Sequence, residues 1–430
     1  MQQSLPVQKE ERSQILDILR GIAILGILLN NIYGFSGYGF LPEANKQQFD
    51  TYNIDRVSNY LQIIFVEGKF YSLFSLLFGI GFSIILTRTR KKGLNSLSIF
   101  YRRLFILLLI GSVHLFFFWE GDILFLYAVI GMILPLFRNC SDKQLLTWAT
   151  VLILSPVFLD LIKYFIQWDP GQPLSTLGFS IDKKNGIPLD QNFAFYLYKD
   201  GSGWNEWRNW QESGYLHRYA YILQTNRIPK VLGMFLIGYF AGRKMIFAHL
   251  DTYQSLLKKT MLYGFAIGLP FSIAMCWFEM DGRYMYGNIW GMADTISYAL
   301  SVAPLSLAYA SALALVWLKG RKKILQFFAP VGRMALTNYL TQTLLGIFIF
   351  YRMGLGLGQK FGLTYLFLTA IVIYFIQVVL SHLWLKYFQY GPVEWIWRQL
   401  TYGKRLPLLS RREKYTAPLT EPLIAETRDV

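Results

Sequence analysis

Apolar residues form long blocks along the chain, and short polar segments separate them. A bilayer core of about 30 Å requires about 20 consecutive apolar residues in helical form. Ten blocks meet that requirement, at 14–34, 70–87, 101–119, 122–138, 144–165, 230–248, 258–278, 290–318, 333–353 and 363–387. We therefore predict an all-α polytopic membrane protein with about ten transmembrane helices.

Basic residues are concentrated in every second connection between the predicted spans. They lie in the second, sixth and eighth connections: Arg88, Arg90, Lys91, Lys92, Arg102, Arg103, Arg243, Lys244, Lys258, Lys259, Lys319, Arg321, Lys322 and Lys323. Cytoplasmic loops collect Lys and Arg, so this alternation predicts that both termini are cytoplasmic. The turn between spans three and four carries Glu120 and Asp122 and is predicted to be external.

The spacing of the blocks divides the chain into four parts. They are an N-terminal membrane half at 1–165, an external loop or lid at 166–229, a C-terminal membrane half at 230–403 and a cytoplasmic tail at 404–430. The tail, rich in Pro, Arg and Glu, has a composition typical of disorder.

The external loop contains tryptophans at every third position, Trp204, Trp207 and Trp210. This pattern predicts an amphipathic helix on the membrane surface. The helix either rests there or covers an external active site and binds substrate.

Composition supports a membrane protein and excludes several functions. Hydrophobic residues make up 54% of the 430 residues and charged residues only 16%, against roughly a quarter charged in soluble proteins. We attribute the net charge of +16 to loop orientation and predict no nucleic-acid partner. The sequence has no metal-ligand spacing, P-loop, dinucleotide glycine motif or nucleophile elbow, so we predict no metal.

His114 is the only histidine well inside a predicted span, near its external end, and Glu120 and Asp122 follow in the next turn. A carboxylate that orients an imidazole supports general acid and base chemistry. The alternative is a histidine that only packs. We expect His114 and one of these carboxylates to face an outward-opening polar cavity that also contains Asn31; a buried Asn instead cross-links helices in many membrane proteins.

Further polar residues at span ends are candidates for binding. Glu67 and Lys69 flank Gly68 at the external start of span two, and we expect each to have a separate partner. Arg333 and Asn338 lie at the cytoplasmic start of span nine. Arg333 is either a boundary residue that reaches toward water or a phosphate ligand.

Asp17 and Arg20 lie three residues apart on one face of the first predicted helix. Two interpretations remain open for them. They form either a buried ion pair or part of a site for an anionic donor.

Five segments in order carry a resemblance to a known family. They are ILDILRGIAILGILLNNI, VEGKFYSLFSLLFGIGF, GSVHLFFFWEGDILFLYAVIG, APVGRMALTNYLTQT and YGPVEWIWRQLTYG. Together they resemble the YeiB-like bacterial membrane proteins, described as domain of unknown function 418. That family is similar, more distantly, to transmembrane acyltransferases, which take an acyl group from cytoplasmic acyl-CoA and pass it to an acceptor across the membrane.

The resemblance implies acyl-CoA as co-substrate and a glycan or lipid-linked acceptor. The phosphates would bind near Arg20, Arg102, Arg103 and Arg333, and no group would be bound covalently. The related O-acyltransferases have a required histidine ten residues after a Leu-Arg-Gly motif, where this chain has Asn31. We therefore expect His114 to be the base and Asn31 to donate a hydrogen bond to the oxyanion.

The competing hypothesis is a transporter or lipid-binding protein that uses the same polar residues. Both hypotheses place the protein, with membrane lipids as partners, in the bacterial inner or plasma membrane. Both also leave a homodimer open.

Overall fold

The structure, a computed structural model, describes residues 13–91, 96–284 and 288–409. Those residues form seventeen α-helices: α1 Gln14–Ser36, α2 Glu43–Lys46, α3 Tyr52–Phe65, α4 Lys69–Lys91, α5 Ser96–Phe117, α6 Leu124–Gly131, α7 Asp142–Ile166, α8 Gln172–Lys184, α9 Trp204–Gln224, α10 Arg227–Arg243, α11 Gln254–Met280, α12 Ile289–Leu318, α13 Lys322–Gln326, α14 Ala329–Arg333, α15 Ala335–Phe350, α16 Leu363–Tyr387 and α17 Pro392–Tyr402. Extended segments in this part of the chain pair only at one bridge, between Phe388 and Leu409. The predicted all-α fold is confirmed.

Seven segments are helical, long and apolar enough to cross a membrane. They are Gln14–Ser36, Tyr52–Thr87, Leu97–Phe117, Asp142–Ile166, Gln254–Met280, Ile289–Leu318 and Leu363–Tyr387. Leu124–Phe137 and Ala335–Phe350 are apolar but shorter. The protein is thus a helical membrane protein, and each of the ten predicted blocks contains a helix.

The block predicted at 333–353 begins later than expected. Met334 leaves the helical conformation at φ −110° and ψ 31°, so Arg333 ends α14 and Ala335 begins α15. The 16 residues of α15 rise only about 24 Å at 1.5 Å per residue. Arg333 therefore lies on a short helix beside the span rather than on it.

Helix α1 is central and packs against α4, α14, α15 and α16. Small residues allow its closest contact, with α14. A Cβ atom at Gly332 would overlap the carbonyl oxygen of Asp17, and one at Gly21 would overlap the carbonyl oxygen of Phe328. This approach, typical of membrane helices, places Arg20 beside Arg333.

Helices α8 and α9 pack against each other and form most of the segment predicted as a loop. Hydrogen bonds fix this segment to the rest of the protein. Gln359 donates to the carbonyl of Ala194 over 2.6 Å, and Gln211 donates to that of Phe118 over 3.2 Å.

A buried carboxylate on α17 holds the start of α15. Oε1 of Glu394 accepts from the backbone N–H groups of Leu336 at 2.7 Å and Thr337 at 3.0 Å. Oε2 accepts from the Thr337 hydroxyl at 2.6 Å. These bonds satisfy donors that the first turn of a helix leaves open. The predicted disordered tail lies outside the described residues from position 410 onward.

Candidate functional site

Two of the cavities among the described residues contain side chains predicted for the site. The first, which we call the loop-side cavity, has a volume of about 820 Å³ and is covered by α8 and α9. Its polar and charged lining side chains include Asn30, Asn31, Glu67, Tyr71, Glu120, Asp182, Asp190, Gln191, Trp210, Ser213, His217, Arg218, Tyr221, Arg227, Tyr298 and Tyr339.

The second, which we call the arginine cavity, has a volume of about 420 Å³. Four arginines line it: Arg20, Arg103, Arg333 and Arg398. The remaining wall is mainly apolar and comes from α1, α4, α5, α6 and α15. Such a site suits a ligand with an anionic group and an apolar chain.

Three side chains line both cavities: Ile27, Ile123 and Tyr339. We call them the partition. The two cavities therefore approach each other to within one layer of side chains. Asn31 lies one helical turn from Ile27 on the same face of α1 and faces the loop-side cavity.

His114 and Asp122 are in direct contact, as predicted. Nδ1 of the imidazole lies 2.7 Å from Oδ2 of Asp122, and both side chains are buried. A carboxylate only accepts hydrogen bonds, so Nδ1–H donates to Asp122. Nε2 lies 2.9 Å from the hydroxyl of Thr343, which can donate to it in the tautomer that leaves the lone pair on Nε2.

The prediction that His114 faces an open cavity is wrong. Neither His114 nor Asp122 is among the residues that line the two cavities. The imidazole lies behind the partition, with its ring centre 5.3 Å from that of Tyr339. Thr343, one turn after Tyr339 on α15, closes the remaining side of the ring.

Glu120 and Asn31 lie in the loop-side cavity, as expected. Oε1 of Glu120 accepts a hydrogen bond of 3.1 Å from the indole of Trp210. Its other oxygen is buried and has no partner among the described residues. Burial raises the pKa of Glu120, which favours its protonated form.

Glu67 and Lys69 have different positions, as expected for residues two apart. Glu67 faces the loop-side cavity. Lys69 is wholly buried, and its ammonium donates to the carbonyl of Ile63 over 2.7 Å. The side chain thus satisfies a backbone group, and binding of substrate by Lys69 stays a prediction.

The three tryptophans do not form one surface stripe. Positions three apart on a helix are about 60° apart in direction, so Trp204 and Trp210 differ by about 120°. Trp204 is 68% exposed, whereas Trp207 and Trp210 pack against the core. Only Trp210 lines the loop-side cavity, where its ring stacks with Phe193.

Three of the four arginines predicted for a donor site come together in the arginine cavity. Arg20 forms an ion pair with Asp17 over 2.9 Å. Both residues also line the arginine cavity, so the ion pair lies at its wall. The guanidinium of Arg103 lies 4.0 Å from the ring centre of Trp397. Arg333 donates to the carbonyl of Gln389 over 3.2 Å.

Arg102 and Asn338 are not at the cavities. Arg102 precedes Arg103, about 100° away around α5, and is exposed. Asn338 is buried and donates to Ser381 on α16 over 3.1 Å, while its carbonyl accepts from Gln377. It cross-links α15 and α16, and its role as a substrate ligand stays a prediction.

Several cavity residues were not predicted from the sequence. His217 and Asp182 form a second pair, with Nε2 of the imidazole 2.7 Å from Oδ2, and both line the loop-side cavity. Arg218 and Arg227 line the same cavity, and Arg398 lines the other. These residues have polar surroundings without a periodic apolar pattern, and the packing of α8 against α9 brings His217 to Asp182. No group of three or more His, Cys, Asp or Glu side chains within the described ranges could hold a metal ion.

Comparison with known proteins relates the whole chain to bacterial proteins. A family described as "Protein of unknown function (DUF418)" matches residues 241–404. The chain is 31% identical to "Uncharacterized protein YxaH" of Bacillus subtilis, with 94% of this chain and 98% of that protein covered. It is 30% identical to "Uncharacterized protein YeiB" of Escherichia coli, with 94% and 100% covered. No solved structure matches the chain.

Proposed function

Because the chain belongs to the YeiB-like family of membrane proteins, we propose that it works within a membrane, as an acyltransferase that acts across it. The observation that carries this proposal is the pair of cavities separated only by Ile27, Ile123 and Tyr339. Transfer across a membrane requires two substrates that enter from opposite sides and meet at one point. Cavities on either side of a thin partition provide that arrangement.

The topology that fits is the one predicted from the basic loops. It has ten spans and two cytoplasmic termini, so that α8 and α9 are outside the cell. The arginine cavity then opens to the cytoplasm and the loop-side cavity outward. The three short helices α6, α10 and α15 complete the ten spans by packing between longer ones, in the bacterial inner or plasma membrane.

The donor in this proposal is cytoplasmic acyl-CoA. Its phosphates bind Arg20, Arg103, Arg333 and Arg398, because guanidinium groups match phosphate oxygens in geometry and charge. Its acyl end extends along the apolar wall to the partition. Arg102, exposed and outside the cavity, is not part of this site.

The acceptor binds in the loop-side cavity beside Asn31, Glu120, Glu67 and Trp210. Its hydroxyl or amine attacks the thioester carbonyl, the C–S bond breaks, and an ester or amide forms. His114 takes the acceptor proton on Nε2, and that proton then passes to the departing CoA thiolate. Asn31 donates a hydrogen bond to the oxyanion.

Access to His114 requires a rearrangement of the partition. Tyr339 covers the imidazole, and the Thr343 hydroxyl occupies Nε2. We propose that the two substrates displace the Tyr339 ring, and that the acceptor group takes the place of the Thr343 hydroxyl. Until the acceptor binds, the covered base is shielded from water, which limits hydrolysis of the bound thioester.

The test is transfer by purified protein in liposomes of total bacterial lipid, with radiolabelled acetyl-CoA and palmitoyl-CoA as donors. Label should enter lipid or glycan only when the protein is present. The arginine-cavity variants Arg103→Gln and Arg333→Gln should reduce it, whereas Arg102→Gln should not. Equal label with and without protein for both donors would contradict the proposal.

A transporter or lipid-binding protein is the second candidate, and one observation favours it. Outside both cavities, Asp160 accepts hydrogen bonds from Asn226, Thr295 and Lys163, at 2.6, 2.6 and 3.0 Å. Charged groups inside membrane helices are common in ion-coupled transport. If Asp160→Asn abolishes the activity of the protein in cells, and the purified unaltered protein transfers no acyl group, a transporter is the better account.

A further inference from the structure

Two arginines of the loop-side cavity have no carboxylate at ion-pair distance in the described part of the chain. Arg218 on α9 and Arg227 on α10 both line the cavity. The Nε atoms of both are buried and have no hydrogen-bond partner within the described ranges. Neither guanidinium forms an ion pair with any described carboxylate within 4.0 Å. A buried cation without a partner is costly, and a ligand that supplies one is therefore favoured.

Both guanidinium groups lie beside the ring of Tyr221. Arg227 lies 5.0 Å from the ring centre of Tyr71 and 5.2 Å from that of Tyr221. Arg218 lies 6.0 Å from the same Tyr221 ring. Burial and the positive charge of the neighbouring Arg227 lower the pKa of Arg218, because two cations repel each other. An anion that contacts both would relieve that repulsion.

No carboxylate of the cavity lies within 4.0 Å of either guanidinium among the described residues, although Glu120 interacts electrostatically with Arg218 and Glu67 with Arg227. Asp182 is engaged by His217, and Asp190 accepts from the backbone and side chain of Asn192. Glu120 accepts from the Trp210 indole.

Glu67 also lines the cavity. Its carboxylate, like the unpartnered Oε2 of Glu120, can accept from a donor group on the same ligand. The lining thus combines two cations with acceptor groups.

We propose that the loop-side cavity binds a phosphate-bearing molecule through Arg218 and Arg227, and that this molecule is the acyl acceptor. The second part rests on the proposed function, whereas the binding does not. A carboxylate has two oxygens and is satisfied by one guanidinium fork, but a phosphate ester offers enough oxygens for two. The stacked rings of Trp210 and Phe193 then contact the remainder of the molecule.

The phosphate belongs either to a lipid or to a water-soluble molecule, and binding distinguishes them. We would measure binding of dodecyl phosphate, glucose 1-phosphate and neutral dodecyl glucoside by calorimetry, with the purified protein in dodecyl maltoside. At least one phosphate should bind more tightly than dodecyl glucoside. Tighter binding of dodecyl phosphate indicates a lipid acceptor, and tighter binding of glucose 1-phosphate a soluble one.

Substitutions test the two arginines. Arg218→Gln and Arg227→Gln should each weaken phosphate binding by about ten- to a hundredfold, because each removes charge-assisted hydrogen bonds. Arg208→Gln is the matched control, since Arg208 is exposed on the same helix as Arg218 and lines neither cavity. Phosphate binding that is absent, or unchanged in both cavity variants, would overturn the proposal.

A measurement on the unaltered protein guards against variants that fail to fold. Phenylglyoxal modifies arginine, and mass spectrometry reports the rate at each position. Dodecyl phosphate or glucose 1-phosphate should slow modification of Arg218 and Arg227 but not of Arg208. Equal rates with and without both phosphates would also overturn the proposal. Phosphate binding without acyl transfer would reject the proposed function and leave this inference standing.

Discussion

Nδ1 of His114 lies 2.7 Å from the carboxylate of Asp122, eight residues later in the chain. The turn between α5 and α6 brings the two together, and Asp122 also accepts from the backbone N–H of Phe125 over 2.7 Å. The carboxylate is therefore fixed from two directions, and it orients the imidazole. This geometry prepares Nε2 to accept a proton.

Replacing His114 should lower the rate of acyl transfer and leave the protein folded. A general base contributes typically about 10²- to 10⁴-fold in rate, so His114→Ala should lower acyl transfer by about that factor. Asp122→Asn should cost less, because the amide still holds the ring without its charge. Transfer of labelled acyl groups, with thermal unfolding in detergent as the folding control, measures both.

His217→Ala is the matched comparison, since His217 also pairs with a carboxylate but faces the cavity directly. We expect it to weaken acceptor use and to retain most of the maximal rate. A large loss of maximal rate in His217→Ala, with His114→Ala active, would assign the base to His217 instead.

The tryptophans of α9 should differ in effect. Trp210→Ala should raise the acceptor concentration needed for half-maximal rate, because Trp210 lines the cavity and donates a hydrogen bond to Glu120. Trp204→Ala should have little effect, because Trp204 is exposed to the surroundings. Equal effects of the two substitutions on acceptor use would argue against α9 as a cover of the acceptor site.

Glu394 should matter for stability more than for chemistry. Its side chain accepts three hydrogen bonds at the start of α15. Glu394→Ala leaves those donors unsatisfied and should destabilise the protein by about 1–3 kcal/mol. Glu394→Gln retains an acceptor oxygen and should cost less, as thermal unfolding in detergent would show.

The same residue predicts a pH dependence. Burial raises the pKa of Glu394 above its usual value of 4.5. The folded state then binds the proton more tightly than the unfolded state, so this contribution to stability is present at low pH and is lost as pH rises through the raised pKa. Glu394→Gln cannot titrate and should remove that part of the pH dependence. An unaltered profile in the variant would contradict this prediction.

Cysteine labelling tests the proposed sidedness. In a background with Cys140 and Cys276 replaced by serine, Lys184→Cys and Lys322→Cys form a matched pair, because both lysines are exposed. An impermeant thiol reagent added to intact cells should label the first and not the second. Labelling of position 322 from outside would mean that the number of spans between them is wrong.

The sequence predicted the helices and one contact of the site because both depend on local pattern. Apolar blocks specify spans, and a turn of few residues keeps His114 close to Asp122. The cavities depend instead on contacts between distant segments. His217 meets Asp182 across 35 positions, and Glu394 meets Thr337 across 57. No spacing rule in one sequence indicates such pairs.

The pattern of apolar and polar residues also could not predict where His114 lies relative to the cavities. Which side of an apolar helix faces a cavity depends on the neighbours that fill the space. Here the Tyr339 ring and the Thr343 hydroxyl fill it. For the same reason Lys69 and Asn338, both polar and near span ends, turned out to satisfy backbone and side-chain groups within the protein.

The central claim is that an acyl group passes from the arginine cavity to the loop-side cavity. The most direct measurement uses liposomes in which labelling at position 184 or 322 has established the orientation of the protein. Radiolabelled acyl-CoA is supplied only on the side of Lys322, and acceptor lipid is extracted and counted. We predict labelled acceptor in the presence of the unaltered protein. With His114→Ala the label in the acceptor should be lower by a factor of about 10² or more. Acyl-CoA that remains intact with the unaltered protein, for both acetyl and palmitoyl donors, would contradict the account.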